Sequence, residues 1–311
     1  MNYLLVMPKE AAKSSGGYNF FPVGIAYISA ALKQSNFKVF TSNLEYYPDS
    51  THNALKKLIT SHSIDVIGIP GLSPDFHNVK EIVDYSKQIN PRILTVVGGG
   101  IISGDPEPAM KALNADVGVI GQGEETMCDL AEALDNGKSY SNIRGLIFRN
   151  QKGELTRTLP RPDFDDIDSI PFPDYLGFSY LDYMKTTNYA AATVVASRSC
   201  PYQCTFCFHP SGKKYRQRSL DKIFAEIDYL KTISPFKQLI LSDEVFAMRK
   251  ERLVEFCKRI KPYNVPWSLQ LRVTDVDEET VKIMKDAGCN CISFGLESAD
   301  NDVLKLSLIH I

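Results

Sequence analysis

The stretch "SRSCPYQCTFCFHP", Ser197 to Pro210, places Cys200, Cys204 and Cys207 in one short run, with Phe206 just before the last of them. The spacing is C-x3-C-x2-C. A structural zinc takes four ligands and a disulfide two, so three clustered thiols suit neither. A cubic [4Fe-4S] cluster held by three thiolates leaves one iron open to a further ligand. The rival is zinc with His209 as fourth ligand. That would crowd every ligand into one loop, whereas zinc sites usually split them into two pairs. A chance spacing of structural cysteines is the other rival. The run "TVVAS" just before the loop reads as a strand, so the thiols sit at a strand's carboxyl end. Barrels of alternating strands and helices build their sites at that end.

The alternation continues downstream. "SLDKIFAEIDYLKTI" reads as a helix with Ser219 as N-cap, "QLILSDEVF" as a strand and "RKERLVEFCKRIK" as a helix. "WSLQLRV" is a third strand, "DEETVKIMKDAG" a helix closed by Gly288, and "CISFGLES" a fourth strand. Upstream, apolar runs at 3–7, 38–42, 65–69, 93–97 and 117–120 alternate with amphipathic stretches at 23–34, 53–61, 78–89, 107–113 and 124–136. Continuous apolar strands between helices indicate a parallel sheet covered on both faces. The fold class is therefore α/β. An N-terminal doubly wound, flavodoxin-like domain spans 1–140, and a partial (β/α) barrel spans 191–311. Between them, 141–190 holds a hairpin around "NQKG" and a linker rich in Pro and Asp, "LPRPDFDDIDSIPFPDYLGF".

The chain has 311 residues, 44% of them apolar and 23% charged, with a net charge of -2, so it should bury a core without an electrostatic footprint for nucleic acid or an anionic membrane. No apolar run reaches the roughly 18 residues of a membrane span. "MNYLLVMPKE" reads as a strand rather than a signal peptide, which places the chain in the cytoplasm. Seven cysteines in a reducing compartment point to metal or redox chemistry rather than disulfides. Cys257, Cys289 and Cys291 read as buried packing thiols.

With Cys200, Cys204, Phe206 and Cys207 in every motif place, the loop resembles that of the radical S-adenosylmethionine (radical SAM) family. The order of segments resembles the members that carry a cobalamin (B12)-binding domain in front. The pieces that carry this are "FPVGIAYISAALKQ", "VVGGG", "GQGEET" and "IDSIPFPD". The resemblance implies an enzyme with a [4Fe-4S] cluster on Cys200, Cys204 and Cys207. S-adenosyl-L-methionine would be chelated at the open iron and cleaved to a 5′-deoxyadenosyl radical. It also implies a cobalamin cofactor, a small-molecule substrate and an electron donor such as flavodoxin or ferredoxin. Methyl transfer to an unactivated carbon is one expected reaction. A cobalamin-independent oxidoreductase or cyclase with a degenerate first domain is another, and a non-catalytic cobalamin or iron–sulfur sensor is a third.

The resemblance also marks the other site residues. Many members end the second barrel strand with Gly-Gly-Glu, whose groups accept hydrogen bonds from the methionine amine. This chain has Asp243 and Glu244 there instead, and either could take that role. Arg272, on the third strand, needs an anion or a way out to solvent. The carboxylate of S-adenosylmethionine, or the Asp243/Glu244 pair, would serve. Glu297, in "GLES", could reach ribose hydroxyls or the amine. For cobalamin the expected residues are Gly98, Gly99, Gly100, Gly121, Gly123 and Glu124, at the carboxyl ends of two adjacent strands. A bulky residue at Gly99 is expected to clash with that ligand. The D-x-H-x-x-G string that supplies a lower cobalt ligand is missing, and His52 reads as a surface histidine. Family members continue for two or more strands beyond "DNDVLKLSLIHI". The barrel is therefore expected to be truncated, and catalytically incomplete, as it stands.

Overall fold

The first apolar run forms β1 (Asn2–Met7), buried along its middle on both faces, because helices cover both sides of the sheet it joins. In the computed structural model, residues 1–9, 20–150, 152–186, 190–202, 204–209, 212 and 214–307 are described. They fall into two units. One comprises Met1–Asp163 with Ile170–Asp182, the other Phe164–Ser169 with Tyr183–Ile311. The expected tail "SLIHI" lies almost wholly outside the described residues.

In the first unit β1 is followed by α1 (Val23–Gln34), β2 (Lys38–Asn43), α2 (Thr51–His62), β3 (Val66–Pro70), α3 (Phe76–Ile89) and β4 (Leu94–Gly98). Then come α4 (Gly100–Gly104), α5 (Pro106–Leu113), β5 (Val117–Val119) and α6 (Glu124–Asp135). Two further strands, β6 (Leu146–Arg149) and β7 (Leu155–Arg157), close the sheet in the order β2-β1-β3-β4-β5-β6-β7. The first five strands are parallel, in the doubly wound arrangement expected. Leu4, Val6, Ile67, Ile69 and Val97 form its core, against Leu55, Ile82 and Met110 from the helices.

The hairpin departs from the reading that set it in a connecting segment at 141–190. β6 pairs antiparallel with β5, Gly118 opposite Ile147, and extends the sheet. Leu146 and Ile147 are fully buried there, and β5 gains partners for backbone groups that an open edge would leave unpaired. Part of the Pro-rich segment is likewise fixed to the first unit. Asp174 accepts from Ser29 Oγ at 2.6 Å and pairs with Lys33, and Tyr175 and Tyr180 pack against Phe21 with ring centroids 5.1 and 5.3 Å apart.

The chain passes for the last time from the first unit to the second within α7 (Tyr180–Thr186). The second unit continues with β8 (Ala191–Val194), a short ladder of β9 (Ser197–Arg198) and β10 (Arg216–Gln217), and α8 (Leu220–Ile233). After these come β11 (Gln238–Leu241), α9 (Lys250–Ile260), β12 (Trp267–Leu271), α10 (Glu278–Asp286), β13 (Cys289–Phe294) and α11 (Asn301–Ser307). The four long strands are all parallel, in the order β13-β12-β11-β8. Ser219 caps α8 by accepting from Lys222 N, and Gly288 leaves α10 at φ +93°. Trp267, Phe256 and Phe246 stack edge to face beneath the sheet. Cys257 is buried as expected, but Cys291 is exposed, because β13 is an edge strand without a covering layer over that residue. Among the described residues no helix is long and apolar enough to cross a membrane.

Candidate functional site

The cysteine loop leaves the sheet at the carboxyl end of β8 and returns through β10. Ser197 pairs with Gln217 and Arg198 with Arg216, so this ladder closes the loop at its base. Inside it Cys200 and Cys204 are half-buried and Cys207 is exposed, with Cys207 N donating to Cys204 O at 3.1 Å. All three thiols are free. Burial pushes the Cys200 thiol up, and the nearby Glu244, Cys204 and Cys207 add to the rise. Burial also raises Cys207, aided by Glu244, Cys204 and Glu297. The Cys200 and Cys207 thiols therefore call for positive charge nearby before they ionise. No group of three or more His, Cys, Asp or Glu among the described residues converges on a single ion. His209 turns to Glu244, its Nδ1 3.6 Å from Oε2.

The two acids after β11 part company. Asp243 is 6% exposed and its Oδ1 accepts from the backbone N–H of Ala196 at 2.8 Å and of Ser197 at 2.6 Å. Its Oδ1 is therefore engaged by the chain's own backbone, whereas Oδ2 is buried without a hydrogen-bond partner and remains an acceptor for the expected role toward the methionine amine. Burial raises its pKa to about 7, opposed by those N–H bonds and by Arg252. The folded state then holds this proton more tightly than the unfolded chain. The stabilisation is fully present below the ordinary value of 3.8 and is lost as pH rises toward about 7. Asp243→Asn removes the titration. The stability difference between wild type and variant should therefore change across that window and flatten on either side, as read by denaturant melts at stepped pH. A difference constant with pH would reject the assignment. Tyr215 and Arg252 are the other titratable groups beside it and stay in one charge state over the window.

Glu244 is partly exposed and lies beside Cys200, Cys207 and His209. Its Oε2 and His209 Nδ1 face each other just beyond hydrogen-bond reach, and Arg272 Nε is buried without a hydrogen-bond partner. A carboxylate and a guanidinium N–H beside the cysteine loop fit a ligand that brings both an amine and a carboxylate. Arg272, expected to meet an anion, lies flat over the Tyr202 ring, 3.5 Å from its centroid, and so ties the end of β12 to the cysteine loop. Phe206 is 55% exposed, and Glu297 is exposed at φ +57°, near Cys207.

In the first unit the glycines cluster at the carboxyl ends of β4 and β5, but most serve the protein's own packing. A Cβ on Gly99 (φ +86°) would lie 2.6 Å from Gly71 O, and one on Gly100 would meet Leu72 at 2.8 Å. One on Gly123 would meet Ile28 at 2.8 Å, and one on Gly98 would make ordinary contact with Val119. The expected clash of a bulky residue at Gly99 with a ligand is thus first a clash with Gly71. Gly121 alone of these turns its missing Cβ into open space, which leaves room for a bulky ligand against the backbone. Glu124 is buried in the first turn of α6, where a carboxylate meets the positive end of the helix dipole. His52 pairs with Glu81 at 3.1 Å and stacks on Tyr85, as a surface histidine.

The reading from sequence missed the charges under the loop. Arg218 and Glu226 form a buried ion pair at 2.5 Å, and Arg218 and Arg252 donate to the carbonyls of Val195 and Ala196. The only linear signal was Arg216 and Arg218 at alternate positions of a short extended run, a weak sign that both lie on one face.

Residues 11–131 match the family described as B12 binding domain, and residues 194–308 the family described as Radical SAM superfamily. An uncharacterized methyltransferase, PH0819, of Pyrococcus horikoshii is 29% identical over 98% of this chain and 67% of its own length. An anaerobic magnesium-protoporphyrin IX monomethyl ester cyclase of Rubrivivax gelatinosus is 28% identical over 94% of this chain and 54% of its own. Among solved structures, the radical S-adenosylmethionine methyltransferase TsrM of Kitasatospora setae superimposes with a TM-score of 0.79 at 21% identity, over 97% of this chain and 60% of that one. The cobalamin-dependent S-adenosylmethionine radical enzyme OxsB gives 0.81 at 21%, over 98% and 45%. These structural likenesses are of fold. The chain spans about half to two thirds of the proteins it matches.

Proposed function

From the premise that this chain belongs to the proteins joining a B12-binding domain to a radical SAM domain, we propose that it carries the cofactor-binding portion of a cobalamin-dependent radical SAM enzyme. The observation that carries the reading is the closed loop of three free thiols at the carboxyl edge of a parallel sheet, with Glu244 and Arg272 beside it. When bound, the cluster and S-adenosylmethionine supply one-electron cleavage of a C–S bond, and cobalamin supplies a carrier for a methyl group. Cys200, Cys204 and Cys207 would hold the cluster. Glu244 accepts from the methionine amine. Arg272, fixed over Tyr202, has an unused Nε for a carboxylate, and Glu297 reaches the ribose or the amine. Phe206 gives an apolar wall that keeps water from the reacting centre. At the edge of the first unit, Gly121 admits the corrin, with Gly98, Gly99, Gly100, Gly123 and Glu124 shaping the loops around it.

The reaction we favour is methyl transfer to a carbon of a small molecule, fed by a flavodoxin- or ferredoxin-type donor in the cytosol. Methyltransferase relatives support it, and the cyclase relative supports ring formation as the second reading. Anaerobic reconstitution followed by iron, sulfide and cobalt counts tests the cofactors, with 5′-deoxyadenosine release as the assay. Iron and sulfide near 4 per chain, within about a unit, with stoichiometric cobalt, is the expected result. Iron uptake without cobalt would move the reading to the cobalamin-independent alternative. Cofactor uptake without 5′-deoxyadenosine from this chain, but with it from a chain extended by the missing strands, would show the expected incompleteness, and its absence from both would favour a sensor.

A further inference from the structure

β8 stops pairing with β11 at Val194, yet the chain stays buried through Ala196, Ser197 and Ser199. Backbone groups that leave a sheet inside a protein must find other partners. Here buried side chains supply most of them. Val195 O accepts from Arg218 Nη1 at 2.9 Å, and Ala196 O accepts from Arg218 N at 2.9 Å and from Arg252. The N–H groups of Ala196 and Ser197 both donate to Asp243 Oδ1, and Ser197 Oγ donates to Val245 O at 2.7 Å. Arg252 also holds Arg218 O at 2.8 Å, on the returning side of the loop. Both stems of the cysteine loop are thus fastened by polar side chains taken wholly or partly out of water. A buried polar group left unpaired is costly, so these groups tolerate few other arrangements.

We propose that Asp243 is a positioning residue: by accepting from Ala196 and Ser197 it sets the direction in which the chain leaves β8 and so where Cys200 begins the loop. Asp243 Oδ2 is buried without a hydrogen-bond partner, and Glu244, beside Cys200 and Cys207, is the carboxylate of the pair that meets the ligand. The role of the loop itself rests on the function proposed above, but the fastening does not.

The test is amide hydrogen exchange over 195–207 in the cluster-free protein, which needs no cofactor. Removing the acceptor in Asp243→Ala leaves two buried N–H groups unpaired, and exchange there should rise about tenfold or more. Asp243→Asn keeps an amide oxygen in place and should stay within about threefold of wild type, since a neutral acceptor replaces a charged one. In reconstituted protein, S-adenosylmethionine affinity should fall about tenfold in Glu244→Gln, the loss of one charge-assisted bond, and hold in Asp243→Asn. Unchanged exchange in Asp243→Ala overturns the proposal. So does an Asp243→Asn chain that keeps its exchange pattern but loses S-adenosylmethionine affinity, because Asp243 would then face the ligand. Should Asp243→Ala fail to fold, the Asn variant alone separates these outcomes. A wild type that takes up no iron would defeat the proposed function and leave the exchange result standing.

Discussion

Cys204→Ala is expected to abolish iron–sulfur assembly on this chain: after anaerobic reconstitution, bound iron falls to trace levels and the broad visible absorbance disappears. Cys204 lies mid-loop, between a thiol that starts the excursion from β8 and one whose own N–H is hydrogen-bonded to the Cys204 carbonyl. With two thiolates left, a cubic cluster would expose two irons and would not persist. Cys291→Ala is the control. It is exposed on the edge strand β13, outside the loop, and should keep wild-type iron. Thermal unfolding should be little changed in cluster-free Cys204→Ala, since a half-buried thiol contributes little packing. Iron and sulfide equal to wild type in Cys204→Ala would sink the three-thiol assignment.

Gly99→Ala is the second large effect, and it acts without any ligand. Gly99 sits at φ +86° and ψ -167°, a region that side chains other than glycine's hardly enter. Its neighbour in space is the backbone of Gly71, which cannot swing aside, because Gly71 N donates to Gly98 O and Gly71 O accepts from Ile101 N. The strain should cost about 3 kcal/mol, lowering the melting of the first unit by roughly 6–12 °C. Calorimetry without cobalamin reads it directly. An unshifted melt would mean that the ends of β3 and β4 separate easily, and Gly99 would return to the list of positions that matter only to a ligand.

Periodicity made the fold legible because it follows from burial. Strands covered on both faces are apolar throughout, and helices over them are apolar on one face, so β1 to β5 and their helices could be read within about a turn of their bounds. The hairpin was legible as a hairpin but not as part of the sheet. Whether β6 pairs with β5 depends on which strand edge stands open, which no local pattern records. The thiols were legible because their chemistry is local: C-x3-C-x2-C places three ligands in one loop in any fold that tolerates it. The acids were legible as a pair and no further. Asp243 and Glu244 are neighbours in sequence, but successive residues after a strand point to different sides. One turns to the buried stem of the loop, the other to the thiols.

The sequence by itself determined the alternation of strands and helices, the three-thiol loop at the end of β8 and the absence of a D-x-H-x-x-G string. Each of these depends on residues close together in the chain. Only the tertiary structure decided that Arg272 lies over Tyr202, that Gly99 is needed by Gly71, and that Asp243, Arg218 and Arg252 hold the stems of the loop. Those pairings join residues tens of positions apart. The last of them exist because buried backbone groups must be satisfied by whatever side chains the packing of β8, β11 and α9 brings within reach.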